Sequence, residues 1–190
     1  MILSDGTIRA LLKSGKLQIA PLEDEQVQSA SVDIRLAPTL RVFRNHTLEC
    51  IDPYDMPKGL TEEVKVKQGE AFVLHPGEFV LGATMERFTL ANDIVARVDG
   101  KSSLGRIGLL VHATAGFVDA GFGPGDLTLE LSNVATLPVK LWPGMRVGQV
   151  SFMALDKPAL RPYGHPDLGS KYQGQSGPVP SLYHKNTRQS

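Results

Sequence analysis

A short segment of small, hydroxyl-bearing and basic residues, 100–106 (GKSSLGR), has the composition of an anion-binding turn. It follows an apolar run that ends near Val98, so a strand is expected to lead into it. Ser102 is placed to cap a helical turn whose first backbone N–H groups point outward, and Lys101 and Arg106 add positive charge. The GxxxxGK[ST] spacing of a P-loop is absent. The segment therefore predicts either a phosphate cradle or a capped turn with two solvated cations.

A second candidate is Glu130, which stands in mid-strand in an alternating segment with Thr128 and Ser132 on the same face. A carboxylate on such a face either contacts solvent or lines a pocket. Partial burial in a pocket would raise its proton affinity and suit it to move protons near neutral pH. From the residues alone both interpretations stay open.

Residues 112–122 combine a histidine, several small residues and an aspartate. The small residues allow a ligand to approach the backbone closely. Asp119 lies between apolar neighbours, where a purely structural strand disfavours a carboxylate. His112 fits a packed, hydrogen-bonded histidine as well as a catalytic one. The segment indicates contact with a ligand but does not identify it.

The cysteine and histidine content limits the metal chemistry open to this chain. Cys50 is the only cysteine, and the histidines include no pair at HxH or HxxxH spacing. One chain therefore cannot supply a zinc site that needs two or more thiolates. A single cysteine also forms no internal disulfide, which favours a reducing, cytoplasmic setting. We expect a cytoplasmic protein without zinc. The histidines are His46, His75, His112, His165 and His184.

The framework that must position these segments is predicted to consist mostly of strands. One amphipathic helix is expected near the N-terminus, capped by Ser4 or Asp5 and stopped at Gly15. After Pro21 short alternating runs are separated by turns, and the 19 Gly and 13 Pro residues exceed their usual share. Expected strands include residues 32–36, 94–98 and 126–134, with a hairpin-type turn at 75–78 and another turn at 143–144. The predicted fold class is mainly β: a distorted β-barrel or jelly roll with a short N-terminal helix and a C-terminal arm.

The last segment, residues 156–190, has five prolines, four glycines and no periodicity. A frayed tail is one interpretation. The alternative is an arm that orders over a ligand or a neighbouring subunit. Tyr163, Lys171, Tyr172 and Gln175 favour the arm, because disordered tails are usually poor in aromatic residues. The expected organisation is a barrel with its helix over residues 1–155 and an arm over 156–190, within one domain.

Length and charge exclude several classes of partner. The 190 residues suit one domain with a sizeable core. The 20 basic and 20 acidic residues cancel, which argues against a nucleic-acid groove. No apolar run reaches the roughly 18 residues of a membrane span. Asp5 and Arg9 in the first ten residues are untypical of a secretory leader. Neither nucleic acid nor a membrane is expected as a partner.

Taken together and in order, these segments resemble the dCTP deaminase family within the trimeric dUTPase-like superfamily. The resemblance covers nearly the whole chain and is most specific at residues 101–106 and 128–130. The matching segments are MILSD (1–5), SVDIR (31–35), FVLHPGE (72–78), KSSLGR (101–106), TAGF (114–117), TLE (128–130) and KYQGQ (171–175).

The resemblance implies a homotrimeric hydrolase with active sites between subunits, which removes the 4-amino group of dCTP without zinc. Glu130 matches the family's catalytic glutamate, which relays protons between the attacking water, the ring N3 and the departing amine. Ser102 and Arg106 match residues that orient water and offset charge. The main-chain carbonyl of Ala115 matches the group that holds the nucleophilic water.

The resemblance also implies a triphosphate site that the arm closes as a lid. Mg²⁺ is expected on phosphate oxygens and water rather than in a protein site. Asp119 matches the residue that reads the deoxyribose hydroxyl, and dTTP is implied as a possible inhibitor. The residues at matching nucleotide-binding positions are Lys101, Ser102, Ser103, Leu104, Gly105, Arg106, Asp119, Thr128, Leu129, Glu130, Gln149, Tyr163, Lys171 and Gln175.

Gly116 and Phe117 bear on where the reaction ends. They resemble the family members that continue from dUTP to dUMP and pyrophosphate, whereas members that release dUTP often carry bulkier polar residues there. Small residues would leave room for a water at the α-phosphate, with Asp119 or a bound water assisting. We therefore predict a dUMP-forming dCTP deaminase. The alternatives are a deaminase that releases dUTP, a dUTP pyrophosphatase and a non-catalytic nucleotide-sensing trimer.

The turn at residues 122–126 is one residue longer than is usual in the family and contains Pro124. The extra residue is expected to shift only this loop. Pro124 can also alter the local geometry, because its ring restricts the backbone.

Overall fold

The computed structural model describes residues 1–44 and 49–186. This part of the chain has two α-helices, three 3-10 helices and thirteen strands, and none of its helices is long and apolar enough to cross a membrane. The α-helices are α1 (Asp5–Ser14) and α2 (Ser102–Gly105), and the 3-10 helices are Asp24–Gln26, Pro166–Leu168 and Tyr183–Lys185. The strands are β1 (Leu17–Ala20), β2 (Val27–Gln28), β3 (Ser31–Arg35), β4 (Thr39–Phe43), β5 (Thr61–Lys65), β6 (Phe72–Leu74), β7 (Phe79–Leu90), β8 (Ile94–Gly100), β9 (Leu109–Leu110), β10 (Phe117–Val118), β11 (Gly125–Asn133), β12 (Val139–Leu141) and β13 (Arg146–Ala154). His46 and the last four residues of the expected arm, 187–190, lie outside the described residues.

The strands form two main sheets and a separate ribbon. One sheet has the order β5-β4-β7-β11-β9, with β1 also paired to β7, and the other has the order β10-β8-β13-β3-β2. The ribbon consists of β6 and β12. Among the described strands no ladder joins the two main sheets, so the barrel is not closed. The mainly β prediction is confirmed, and the two-sheet form is that of a jelly roll.

A single hydrophobic core holds side chains from both main sheets. Leu129 and Leu131 of β11 are fully buried in it, as are Val150 and Phe152 of β13. Along β11 every second residue faces this core, while Thr128, Glu130 and Ser132 are only partly buried. The alternation predicted from the sequence is therefore confirmed, and it aims Glu130 away from the core.

The N-terminal helix has the predicted limits. Ser4 occupies the N-cap position and Gly15 the C-cap, where a φ of 75° gives the left-handed conformation that glycine tolerates best. The Gly15 N–H donates to the Leu12 carbonyl at 3.2 Å. Ile8 is buried in the core, and Leu11 and Leu12 pack against it. The Ser4 hydroxyl makes no capping hydrogen bond, so position rather than side-chain chemistry defines the start of α1.

The turn at residues 75–78 forms, but the predicted hairpin is wrong. The Glu78 N–H donates to the His75 carbonyl at 3.1 Å, yet β6 pairs with β12 while β7 pairs with β1, β4 and β11. The buried Asn133 explains the divergence. Its side-chain amide donates to the Leu74 carbonyl at 2.9 Å, and its backbone carbonyl accepts from the Gly77 N–H at 2.8 Å. Contacts with a distant strand thus direct β6 into the ribbon.

Candidate active site

The predicted site residues divide between two clefts of the protomer. The larger has a volume of about 1120 Å³ and brings together Glu130, Thr128 and Asp119 with Tyr163 and Gln175 from the C-terminal segment. The smaller, of about 580 Å³, lies at α2. No described residue lines both clefts. The smaller cleft is lined by Lys101, Ser102, Ser103, Arg106 and Gln149.

Glu130 is held by the backbone of the loop between β9 and β10. One carboxylate oxygen, Oε2, accepts from the Ala113 N–H at 3.0 Å and from the Thr114 N–H at 3.2 Å. Two backbone donors on one oxygen fix the orientation of the carboxylate. The second oxygen, Oε1, has no protein partner among the described residues and is available to a ligand or water.

Buried polar atoms without partners accompany Glu130 in the large cleft. Both ring nitrogens of His112 and the hydroxyl of Thr128 are buried and lack hydrogen-bond partners among the described residues. Buried polar groups are normally paired, so these atoms mark a place where a ligand or water completes the structure. His112 is thus packed, but it is not the hydrogen-bonded core histidine that one interpretation of the sequence allowed.

The small size of Gly116 is required by its protein neighbours. A Cβ atom there would stand 3.0 Å from the Val98 carbonyl oxygen and 3.2 Å from His112 Nε2, closer than side chains normally pack. The Gly116 carbonyl in turn accepts from the Val98 N–H at 2.7 Å. Ala115 and Phe117 line the large cleft on either side of this contact. A larger residue at 116 would therefore have to displace the His112 ring or the strand end.

Part of the β11 backbone is open beside Glu130. β7 pairs with β11 from Gly125 to Ser132, whereas β9 reaches only Ser132 and Asn133. Among the described strands the other edge of β11 therefore has no partner between residues 127 and 131. The side chain of Leu129 is fully buried, so a nucleotide can meet this predicted binding residue only through its backbone.

Tyr163 connects the C-terminal segment to the wall of the large cleft. Its hydroxyl accepts from the Tyr172 N–H at 3.2 Å, and its ring lies 5.7 Å from the Phe122 ring, measured between centroids. Burial raises the pKa of the Tyr163 hydroxyl, and the nearby Asp119 carboxylate acts in the same direction. Tyr163 therefore stays protonated and available as a donor well above neutral pH.

In the small cleft the buried Asp33 of β3 holds two cations. Lys101 Nζ donates to Asp33 Oδ1 at 2.7 Å, and Arg146 Nη1 lies 3.4 Å from Oδ2. The aspartate is only 2% exposed, so the pair orients Lys101 firmly. Arg106 is exposed, and its guanidinium has no described partner. Free and oriented cations at one helical turn suit a polyanionic ligand.

The predicted cap of this turn is wrong by one residue. α2 begins at Ser102, and Lys101 occupies the N-cap position. The reason is that the Lys101 carbonyl accepts from the Leu104 N–H at 3.0 Å and from the Gly105 N–H at 2.9 Å, so the first helical hydrogen bonds start at Lys101. The Ser102 hydroxyl is left exposed in the cleft.

Five predicted residues lie in neither cleft lining: Leu104, Gly105, Gly116, Leu129 and Lys171. Leu104 packs against the hydrophobic core, and Lys171 is partly buried in the C-terminal segment. The sequence analysis in turn missed residues that line or support the large cleft. Gln173 falls inside the matching KYQGQ segment but had no predicted role, while Arg41 and Tyr183 lacked any local signal. Tyr172 was predicted only as part of the arm, and it also lines the cleft.

A family model described as dCTP deaminase-like matches residues 2–155 of this chain. The chain belongs to the dCTP deaminase-like family. Among curated relatives, "dCTP deaminase, dUMP-forming" of Mycolicibacterium vanbaalenii is 56% identical over 186 residues, covering 98% of this chain and 97% of the relative. The protein of the same name from Tropheryma whipplei is 54% identical over 186 residues, covering 98% and 94%.

A solved structure in the same family shows the same fold. The 2'-deoxycytidine 5'-triphosphate deaminase of Agrobacterium tumefaciens superposes with a TM-score of 0.63 at 30% identity. The match covers 80% of this chain and 47% of that longer chain, so the matched region spans less than half the length of that relative.

Proposed function

We propose that this protein is a hydrolase that deaminates dCTP and converts the product to dUMP and pyrophosphate. The observation that carries the proposal is the Glu130 carboxylate, fixed by two backbone N–H groups with its other oxygen open to the large cleft. Curated relatives more than 50% identical over almost the whole chain bear the name dCTP deaminase, dUMP-forming. The chemistry of the site and the family point to the same reaction.

Hydrolytic deamination requires three proton movements, which one carboxylate can relay. Glu130 takes a proton from the attacking water as the water oxygen bonds to C4 of the cytosine ring, and the ring N3 accepts a proton. Glu130 passes its first proton to N3, then takes the proton of the new C4 hydroxyl and gives it to the amino nitrogen. The C4–N4 bond breaks as the C4=O bond of the uracil ring forms, and ammonia leaves. The products are dUTP and ammonia. In this proposal the Ala115 carbonyl holds the water, and Ser102 orients it while Arg106 offsets the charge.

The proposal includes assembly as a homotrimer, with each active site between two subunits. On one protomer Glu130 lies in the large cleft, whereas Ser102 and Arg106 lie in the small one. A complete set of catalytic groups is obtained when the small cleft of one copy faces the large cleft of another. The separation of the two clefts supports an intersubunit site of this kind.

A nucleoside triphosphate also needs cations and a metal ion. Lys101, Ser103, Arg106 and Lys171 are the proposed phosphate contacts, with Gln149, Tyr163 and Gln175 nearby. No group of three metal-binding side chains occurs within residues 1–44 and 49–186, which fits a Mg²⁺ ion carried by phosphate oxygens and water. When bound, Mg²⁺ would neutralise charge on the triphosphate. Asp119 is proposed to bind the deoxyribose hydroxyl, and dTTP is proposed to compete for the same site.

The second reaction is hydrolysis of dUTP at the α-phosphorus. A water oxygen bonds to that phosphorus, the bond to the β-phosphate oxygen breaks, and dUMP and pyrophosphate leave. The exposed Phe117 lines the large cleft next to Gly116, and room for this water is proposed there. We further propose a cytoplasmic location, since the lone Cys50 forms no internal disulfide.

The decisive experiment is incubation with dCTP and Mg²⁺, with ammonia and nucleotides resolved over time. Ammonia with dUMP is expected. Accumulation of dUTP would indicate a deaminase only, turnover of dUTP but not dCTP would indicate a pyrophosphatase, and turnover of neither would indicate a sensor. Glu130→Gln is expected to abolish ammonia release while binding of dCTP persists, whereas the exposed control Glu70→Gln keeps both. Wild-type ammonia release by Glu130→Gln would refute the mechanism.

A further inference from the structure

We propose that Gln173 and Asp126 are positioning residues that latch the C-terminal segment over the active-site cleft. Neither residue lines the cleft, and neither is among the expected nucleotide contacts. Their bonds instead fix the backbone of the segment that carries Gln175 and of the loop that leads into β11. The inference rests on the proposed function, since the latch is expected to act on nucleotide binding.

Gln173 bridges the C-terminal segment to the turn at residues 121–123. Its side-chain oxygen Oε1 accepts from the Gly123 N–H at 3.0 Å, and its Nε2 donates to the Gly121 carbonyl at 3.0 Å. The same amide group lies 3.4 Å from the Tyr163 carbonyl. The primary amide of glutamine supplies both a donor and an acceptor, and it therefore matches this pair of backbone groups. Glutamate has no donor when ionised and lysine has no acceptor, so neither could make both hydrogen bonds.

Asp126 holds the same segment two to four residues further along. Its carboxylate oxygen Oδ2 accepts from the Gly177 N–H at 2.7 Å and from the Ser176 hydroxyl at 3.4 Å. Its backbone completes the attachment: the Asp126 N–H donates to the Gln175 carbonyl at 3.2 Å, and the Asp126 carbonyl accepts from Gln175 Nε2 at 2.6 Å. The segment therefore adds a short strand-like contact to the free start of β11.

The two attachment points enclose the part of the segment that faces the cleft. Tyr172 and Gln175 line the cleft from positions beside the two anchors. Beyond the anchors, the Pro178 carbonyl accepts from Arg41 Nε at 2.8 Å, and the Leu182 N–H donates to the Tyr172 hydroxyl at 3.1 Å. The loop at residues 121–126 thus serves as the surface on which the segment docks.

The expected consequence is a change in substrate affinity rather than in the chemical step. If the segment detaches in a fraction of the molecules, the apparent affinity falls by that fraction, because only the latched form offers Gln175 and Tyr172 to the nucleotide. Saturating nucleotide restores the latched form. KM should therefore rise while kcat stays close to that of the wild type.

The test compares Gln173→Ala and Asp126→Ala with Asp126→Asn, which keeps an acceptor oxygen for the Gly177 N–H. Gln68→Ala, an exposed glutamine outside the segment, is the matched control. Amide hydrogen exchange on ligand-free trimer or protomer, as purified, reports the latch directly at Gly123 and Gly177. Exchange at these amides is expected to become about tenfold faster in the alanine variants, and KM for dCTP about tenfold higher, since each loses two or more hydrogen bonds. In Asp126→Asn the amide exchange rate and KM for dCTP are both expected to stay close to the wild-type values.

The outcomes separate the latch from the proposed reaction. Unchanged exchange at Gly123 and Gly177 in the alanine variants would overturn the latch, whatever the enzyme's activity. Faster exchange with unchanged KM, or a loss of kcat at unchanged KM, would overturn its role in nucleotide binding. If the wild type turned over no dCTP, the proposed function would fail, while the exchange measurement would still decide the latch. If an alanine variant has a lowered melting temperature, the role of the latch is decided from Asp126→Asn instead, because asparagine has nearly the same size and shape as aspartate.

Discussion

The buried carboxylate of Glu86 offers a sharp test of how the two sheets are held in place. Its side chain is fully buried and accepts three hydrogen bonds. The donors are Arg35 Nε at 2.7 Å, the Arg35 backbone N–H at 2.9 Å and Gln26 Nε2 at 2.9 Å. These bonds join β7 of one sheet to β3 of the other, and β3 also carries Asp33.

Replacing Glu86 with glutamine removes the charge but keeps the size of the side chain. The hydrogen bond to Glu86 raises the pKa of Arg35, so the arginine stays charged and would lose its buried counter-ion. Breaking one partner of a buried pair costs about 3–5 kcal/mol. For a chain of this size each kcal/mol lowers the melting temperature by about 2–4 °C, so a fall of roughly 6–20 °C is expected.

The assay is thermal unfolding for the melting temperature and urea unfolding for the free energy, both followed by circular dichroism. One fixed protein concentration is used, because the proposed assembly makes the measured stability depend on concentration. Glu62→Gln is the control, since Glu62 pairs with Arg44 at the surface with 44% of its side chain exposed, and it should cost less than about 1 kcal/mol. The double variant Arg35→Met/Glu86→Leu is expected to lose less than the sum of its single changes. The reasoning is refuted if Glu86→Gln is no more destabilising than Glu62→Gln.

Two further outcomes are expected. The double variant Gly116→His/Phe117→Arg should accumulate dUTP while ammonia release continues. A large side chain at position 116 displaces the neighbouring His112 ring and fills the space proposed for the second water. Formation of dUMP at the wild-type rate would contradict this prediction. The free energy of unfolding should fall as the pH rises above 10.0, the ordinary pKa of tyrosine. The pKa of Tyr163 is raised in the folded chain, so its hydroxyl keeps its proton there after the unfolded chain has lost it. Urea titrations between about pH 9 and about pH 11, with Tyr163→Phe showing a shallower decline, check this sign.

Local patterns were sufficient for the regular elements. α1 follows from its apolar period and from Gly15, and β11 follows from alternation, because both depend on residues a few positions apart. The pairing of β6 did not follow, since it depends on the Asn133 amide reaching the Leu74 carbonyl 59 residues away. Such a contact leaves no trace in the composition of the turn at 75–78.

The site shows the same division. Residue types and order predicted Glu130, the cations at α2 and the aromatic C-terminal segment as parts of a nucleotide site. They could not show that one protomer separates Glu130 from Ser102 and Arg106, or that His112 and Thr128 carry unpaired buried atoms. Nor could they indicate Asp126, because its role depends on a backbone N–H of Gly177 that only the folded chain brings within 2.7 Å.

The sequence by itself therefore determined which chemical groups are available to the proposed reaction: a carboxylate, a cluster of cations and small residues, and a single cysteine with no histidine pair at HxH or HxxxH spacing. Only the tertiary structure decided where those groups stand. Chemical identity is a property of each residue, whereas distance and burial depend on strand pairing between residues far apart in the chain. For that reason the two separate clefts and the latch at Gln173 and Asp126 become visible only in the folded protein.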